Sequence, residues 1–267
     1  MPNILSEVSS NLAQLVEKRE LVVSLTYRQI YARYRQSVLG LTWAVLRPIA
    51  TVVIFTVVFS YIAKFPSDGL PYPLFVFGAL LPWTLLNSGI GAGVSSLTNQ
   101  ANLVAKIYFP REILPISAIL ASAVDFLIAA VIFVILLFIY QVEVSWYILY
   151  AVPILLIEVL LLLGLVLLFS MVNVWFRDVG HAMVLFLQFW MYLTPIIYPL
   201  SMVPERFRWL YDLNPMVGIV EGFRNVFLRA APPPLELLAT SAVASVVLFV
   251  LGYSLFKQRE FQFADVI

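Results

Sequence analysis

The sequence predicts an all-α, polytopic membrane protein. It expects six transmembrane helices, an N-terminal cytoplasmic amphipathic interface helix, and two short re-entrant helices before the last span. Three observations predict this class. The chain of 267 residues is 62% hydrophobic and only 12% charged, with mean hydropathy +0.97. A soluble domain has about 45–50% apolar and roughly 25% charged residues, so this chain could not cover a surface that faces water throughout. Six stretches, at roughly 43–63, 72–97, 113–140, 146–172, 180–199 and 235–256, are apolar over about the 20 residues a helix needs to cross a bilayer. Two other segments, 20–39 and 199–234, are apolar along one face only.

The same composition excludes several function classes. Sixteen basic residues against fifteen acidic ones leave a net charge of +1, too little for a field that would hold nucleic acid. There is no cysteine, so disulfides, thiol catalysis and cysteine metal sites are absent, and with His181 as the lone histidine neither a histidine-based metal site nor a serine–histidine triad is expected within one chain.

Three segments are expected: 1–40 as a cytoplasmic amphipathic part, 41–256 as the transmembrane domain, and 257–267 as a cytoplasmic tail. In the first 40 residues Asn3, Glu7, Asn11, Gln14, Glu17 and Lys18 interrupt every apolar run, so no signal peptide is expected. Ile4, Val8, Leu12 and Leu15 repeat at helical spacing, which suits a surface helix or a docking element for a cytoplasmic partner. Val23, Tyr27, Tyr31, Tyr34 and Val38 form a stripe, and Arg28, Gln29, Arg33, Arg35 and Gln36 fill the rest of the circumference. Such a helix lies in the membrane interface, with arginine heads at lipid phosphates and tyrosines at headgroup depth. It either anchors span 1 or meets a phosphorylated substrate.

Orientation follows from Lys and Arg. Eleven fall on one side: Lys18, Arg19, Arg28, Arg33, Arg35 and Arg47 before or at span 1, then Lys106, Arg111, Arg177, Lys257 and Arg259. Five fall on the other: Lys64, Arg206, Arg208, Arg224 and Arg229. Both termini are therefore expected in the cytoplasm.

Span 2 contains Pro73, Gly78, Pro82, Gly89, Gly91 and Gly93, and the small residues from Gly89 to Gly93 allow a close helix approach. In span 5, Thr194-Pro195 invites a kink. Beyond it, Pro199, Pro204, Pro215 and Pro232-Pro233-Pro234 cut 199–234 into pieces too short to span. The second piece puts Met216, Ile219, Val220, Phe223, Val226 and Phe227 on one stripe, with Glu221, Arg224 and Asn225 opposite. Glu221 and Arg224, three apart, can neutralise each other. The alternative is an ordinary outer loop.

Asp125 and Glu158 lie inside spans 3 and 4, where a carboxylate needs an explanation. They serve either a structural or lumen-facing role, or a proton relay. The aromatics Phe75, Phe77, Trp83, Trp175, Phe176, Phe186, Phe189, Trp190, Tyr192 and Tyr198 cluster in and around spans 2 and 5. They suit stacking on sugar rings as well as lipid-facing packing and interfacial belts.

No GxxxxGK[ST], HExxH or GxSxG string occurs. Transport driven by ATP would need its ATPase on another chain. The loop Asn99–Glu112 is its expected docking site, with Leu103, Ile107 and Tyr108 entering a groove on the partner and Lys106 and Arg111 beside them; the alternative, a simple connector, would leave Ile107-Tyr108-Phe109 poorly placed.

Several short strings stand in order along the chain. They are Arg33-Tyr34, Ser37-Val38-Leu39-Gly40, Trp43-Ala44-Val45-Leu46-Arg47-Pro48, Pro82-Trp83, Asn173-Val174-Trp175-Phe176-Arg177-Asp178, Thr194-Pro195-Ile196-Ile197-Tyr198 and Asn214-Pro215-Met216. Together they resemble the membrane subunits of ABC-2 type polysaccharide exporters over nearly the whole chain. The resemblance implies a permease subunit with no catalytic site or cofactor of its own. It implies a homodimer with two copies of an ATP-binding subunit that holds ATP and Mg. The cargo it implies is an undecaprenyl-linked polysaccharide of O-antigen, capsule or teichoic-acid type, carried across the bacterial cytoplasmic membrane. A coupling helix would fall near 99–109, and a re-entrant gate carrying Pro204, Pro215, Glu221 and Arg224 near 201–229. The path would run mainly between spans 1, 2 and 5, lined by Phe75, Trp83, Phe186, Phe189, Trp190, Tyr192 and Tyr198. Arg28, Arg33, Arg35 and Arg47 would meet the pyrophosphate of the lipid carrier. The short loop between spans 3 and 4 departs from members that carry an extra outer domain. Two other readings stay open: an ABC-2 exporter of drugs or small lipids, and a proton-coupled transporter using Asp125 and Glu158.

Overall fold

The computed structural model describes residues 17–35, 40 and 42–267. The expected surface helix at 3–16, the stripe position Val38 and the string Ser37-Val38-Leu39 lie outside these residues. Among the described residues every regular element is helical.

Helix α1 (Arg19–Tyr34) precedes the first apolar helix, α2 (Thr42–Phe55), which continues as a π-helical segment over Thr56–Ile62. Then follow α3 (Tyr72–Val94), the short α4 (Ala101–Lys106), α5 (Ile113–Ile139) and α6 (Ala151–Trp175). The second half holds α7 (Asp178–Tyr192), α8 (Glu205–Asp212), α9 (Pro215–Leu228), α10 (Leu235–Arg259) and a terminal turn α11 (Phe263–Val266). Among the described residues, five helices are long and apolar enough to cross a membrane: Thr42–Ile62, Tyr72–Val94, Ile113–Ile139, Trp146–Trp175 and Leu235–Val266. Each begins within one residue of an expected span, while the last runs past its expected end at 256 to Val266.

The stretch expected at 180–199 differs. Its helix has 15 residues and stops at Tyr192, which at 1.5 Å per residue is about 22 Å and short of the roughly 30 Å hydrocarbon core. Pro195 explains the stop. It has no N–H to continue the ladder and disfavours helical geometry at Thr194. The carbonyls of Pro195 and Ile196 instead accept hydrogen bonds from Arg224.

Helix α3 runs through the middle of the main core, with Leu74, Phe75, Val76, Ala79, Leu86 and Ile90 sealed from solvent. Its small residues create the room. A Cβ on Gly89 would stand 2.7 Å from Leu162 of α6, and one on Gly93 would collide with Val166 one turn on. Gly91 points into open space, so the two glycines four apart make the close approach. Helices α6 and α10 approach still more tightly, since a Cβ on Gly164 would lie 2.6 Å from the backbone carbon of Leu248. By contrast α2 buries only Ala44 and Val52, leaving Val53, Ile54, Tyr61 and Ile62 on an open apolar face.

Candidate functional site

Three places gather the polar groups of this apolar molecule. The first lies where α9 meets α3 and the chain after α7. Asn214 caps α9, its side-chain oxygen accepting from Met216 N–H, and Pro215 takes the first helical position, where no N–H is needed. The same side chain accepts from Trp190 Nε1 at 2.9 Å and donates to the Leu193 carbonyl and Thr194 hydroxyl, so it also binds the end of α7. Arg224 is wholly buried. It donates to Glu221 Oε1 at 2.8 Å and to the carbonyls of Pro195, Ile196 and Phe75. Arg229 bridges Glu221 at 3.1 Å and Asp68 at 3.3 Å, carrying the network to the loop after α2. The expected Glu221–Arg224 pair is therefore present within a larger network that includes Asp68. Pro204 starts α8 beside an open groove of about 360 Å³, lined in part by Phe65, Tyr198, Phe207 and Tyr211.

The second place is a cavity of about 180 Å³ between α1, α2, α3 and α5, lined by Tyr34, Arg47, Thr51, Thr84, Asn87, Ser88 and Asp125 among others. Arg33 ion-pairs with Asp125, and the Tyr34 hydroxyl donates to the same carboxylate. Burial first, then the hydrogen bond to Asp125, push the Tyr34 hydroxyl up to about 12. Gln29 donates to Ser117 at 2.9 Å and Arg28 to Gln100 at 3.0 Å. Helix α1 thus turns polar groups towards the protein, while Val23, Tyr27 and Tyr31 stay exposed.

This arrangement divides the four arginines expected at lipid phosphates. Arg28 and Arg33 are engaged within the chain, and Arg35 lies over the Tyr31 ring at 5.1 Å. Arg47 is exposed on the cavity and makes no ion pair among the described residues. Asp125 is bound by two partners, while Glu158 is fully buried with no hydrogen-bond partner among the described residues.

The third place is the turn from α4 to α5. Leu103 is half-buried and Lys106 exposed. Ile107 is 53% and Tyr108 88% exposed, whereas Phe109 is buried. Arg111 is buried and donates to the Ile107 carbonyl at 2.7 Å, drawing the turn closed. Beside it Glu112 is sealed and ion-paired to Lys257 at 2.6 Å. Burial first and the nearby Glu260 second raise the Glu112 carboxyl above the usual carboxylate range, against the pull of Lys257.

The aromatics part into two sets. Phe75 and Trp83 lie in the chain's own core and offer almost no surface to a path. Phe186, Phe189 and Tyr192 are exposed along α7, with the half-buried Trp190 packed edge-on against Trp83 at 6.0 Å. Tyr198 donates to the Tyr192 carbonyl at 2.6 Å.

The model of the ABC-2 type transporter family matches residues 20–228, which includes the cavity beside Arg47 and most of the other two places, while Arg229, Lys257 and Glu260 lie beyond it. The chain belongs to the ABC-2 type transporter family. This permease is similar to the O-antigen export system permease protein RfbA of Myxococcus xanthus, 30% identical over 257 residues that cover 95% of the chain and 98% of the relative. A protein of the same name from Klebsiella pneumoniae is 27% identical over 93% of the permease and 95% of its own length. The polysialic acid transport protein KpsM of Escherichia coli is 25% identical over 90% and 93% respectively. Permeases of this family work with a partner ATPase subunit, and this one is a multi-pass membrane protein.

Sequence reasoning singled out Glu221, Arg224, Ile107 and Tyr108, but missed Asp68, Asn214 as a cap, and Glu112, Lys257 and Glu260. Asn214-Pro215 carried a readable signal, a cap residue followed by proline. The charges from Asp68 to Arg229 and from Glu112 to Lys257 lie more than 140 residues apart, and no local pattern connects them.

Proposed function

We propose that this chain is the membrane subunit of an ATP-driven exporter that moves a lipid-linked polysaccharide across the bacterial cytoplasmic membrane. Two copies enclose the path, and two ATPase subunits that bind ATP and Mg dock on the cytoplasmic loops. The sixth crossing is completed by α7 with the chain that follows it, and α8 and α9 form the re-entrant gate. Both termini lie in the cytoplasm.

The observation that carries this reading is the exposed aromatic face of α7, with Phe186, Phe189 and Tyr192 each about half exposed or more. Flat rings suit the C–H faces of sugars, and the thinly buried α2 offers a second open apolar face. Contacts between two copies along these helices would leave the rings facing a shared space. Arg47, on the polar cavity behind α2, then meets the carrier's diphosphate as the lipid enters. The open Ile107 and Tyr108 side chains fit the groove of an ATPase subunit.

The test is ATP hydrolysis by the reconstituted complex with added undecaprenyl-linked glycans, together with loss of the gene in its host. The reading expects stimulated hydrolysis and lipid-linked glycan accumulating on the cytoplasmic side. A complex stimulated only by drugs or small lipids, with no glycan accumulating, would replace it with the other ABC-2 reading.

A further inference from the structure

The inner end of the molecule has a core of its own. Leu25 of α1, Val104 of α4, Phe109, Ile113, Val174 of α6, and Phe256 and Phe263 of the C-terminal segment form a cluster separate from the main one. Phe263 is sealed, edge-on to Trp175 at 5.6 Å and to Phe256 at 5.2 Å. The last residues of the chain thus fold back under the loop between α3 and α5.

A chain of charges crosses this core. Lys257 lies 2.6 Å from Glu112 and 2.9 Å from Glu260. The other oxygen of Glu260 accepts the backbone N–H of Arg111 at 2.7 Å, and the Arg111 guanidinium holds the Ile107 carbonyl. From residue 107 to 112 the turn is strapped at two points to the end of α10, and the Arg111–Ile107 bond ties its far side to them. Glu112 is 1% exposed. An isolated surface ion pair would contribute little, but a buried one fixes geometry, because removing one partner strands a charge. Helix α10 is in turn interlocked with α6 at Gly164 and Gly252, where each glycine meets the other helix's backbone.

We propose that residues 256–263 are a positioning arm. Lys257 and Glu260 lock the 107–112 turn to α10, so that displacement of the loop by the ATPase subunit moves α6 and α10 as one body. This rests on the reading of the loop as the ATPase-facing element. Without the arm, the turn hinges on its own and the push is lost in local bending. Lys257 and Glu260 touch neither nucleotide nor cargo; they act through the loop.

The experiment uses the complete complex with its ATPase partner in lipid vesicles. It measures co-purification, ATP hydrolysis and glycan exported per ATP for Lys257→Met, Glu260→Gln, Lys257→Arg and Tyr108→Ala. Lys257→Met and Glu260→Gln are expected to keep the ATPase subunit and hydrolyse ATP, yet export at least about fivefold less per ATP, the low end of coupling between sites. Lys257→Arg, which keeps the charge, is expected to retain most of the coupling. Should Lys257→Met fail to fold, the half-buried Glu260 still provides the test. Wild-type export per ATP in Glu260→Gln, with Tyr108→Ala impaired, overturns the arm and leaves the loop reading intact. Unimpaired Tyr108→Ala overturns the loop reading, and the arm with it.

Discussion

The guanidinium carbon of Arg224 lies 3.6 Å from the centre of the Phe75 ring. Phe75 also supplies its carbonyl to Arg224 Nε at 3.2 Å, so one residue of α3 meets the cation with both its ring and its backbone. The remaining donors reach Glu221 and the carbonyls of Pro195 and Ile196. A planar fork satisfies four partners at fixed angles, which a lysine ammonium cannot reproduce. A buried cation with complete partners thus joins α9 to α3 and to the end of α7.

Replacing Arg224 should therefore cost stability even when the charge is kept. Arg224→Lys is expected to destabilise the permease by about 1–3 kcal/mol, the scale of buried acceptors left without a donor. Thermal unfolding in detergent reads this as a clear drop in midpoint, against Arg206→Lys on exposed α8 as a near-neutral control. Equal midpoints for the two would show that the network contributes no stability.

The glycines make opposite predictions according to what faces them. Gly252→Leu has to displace the backbone of Gly164 and should prevent α6 and α10 from packing. Gly91→Ala meets nothing within 4 Å and removes a poor helix former, so a change of about 0 to 1 kcal/mol towards greater stability is expected. Expression level and gel-filtration profile separate the two outcomes.

Tyr34 gives a pH signature. Its hydroxyl is raised to about 12 by burial and by Asp125, so the fold favours the protonated phenol. That stabilisation is fully present below the ordinary tyrosine value of about 10 and is lost as pH rises through about 12. Spectroscopic titration of wild type against Tyr34→Phe isolates this group. Asp125→Asn, which removes the negative charge while leaving the burial, should shift the titration down towards the ordinary value.

Arg47→Ala should leave assembly with the ATPase subunit intact, because the side chain is exposed and makes no ion pair among the described residues. Export and glycan-stimulated hydrolysis are expected to fall about tenfold, the scale of one charge-assisted hydrogen bond. Wild-type export would remove Arg47 from the lipid-phosphate contact.

Much of the architecture was legible because the bilayer imposes a length on each apolar run. The expected spans at 72–97 and 113–140 appear as Tyr72–Val94 and Ile113–Ile139. Gly89 and Gly93 were readable as an approach surface because residues four apart share a helix face. Arg28 and Arg33 stood out in the pattern, but the partners they meet in the chain did not. A helical wheel shows that a helix has two faces, but it does not say which one meets protein. Asp125 and Gln100, distant in sequence, decided that.

The sequence by itself determined that this chain is helical and belongs in a membrane, and it marked Ile107 and Tyr108 in the loop between α3 and α5. Hydrophobic length and periodicity are local properties, and they survive without knowledge of neighbours. Only the tertiary structure decided that Phe75 and Trp83 lie inside the chain and that α7 ends at Tyr192. It also decided that Arg224 is sealed among four acceptors, and that the C-terminal residues grip the 107–112 turn. A buried charge is tolerable only where its partners converge, and those partners come from helices far apart in the chain. Their convergence exists only once the helices have packed.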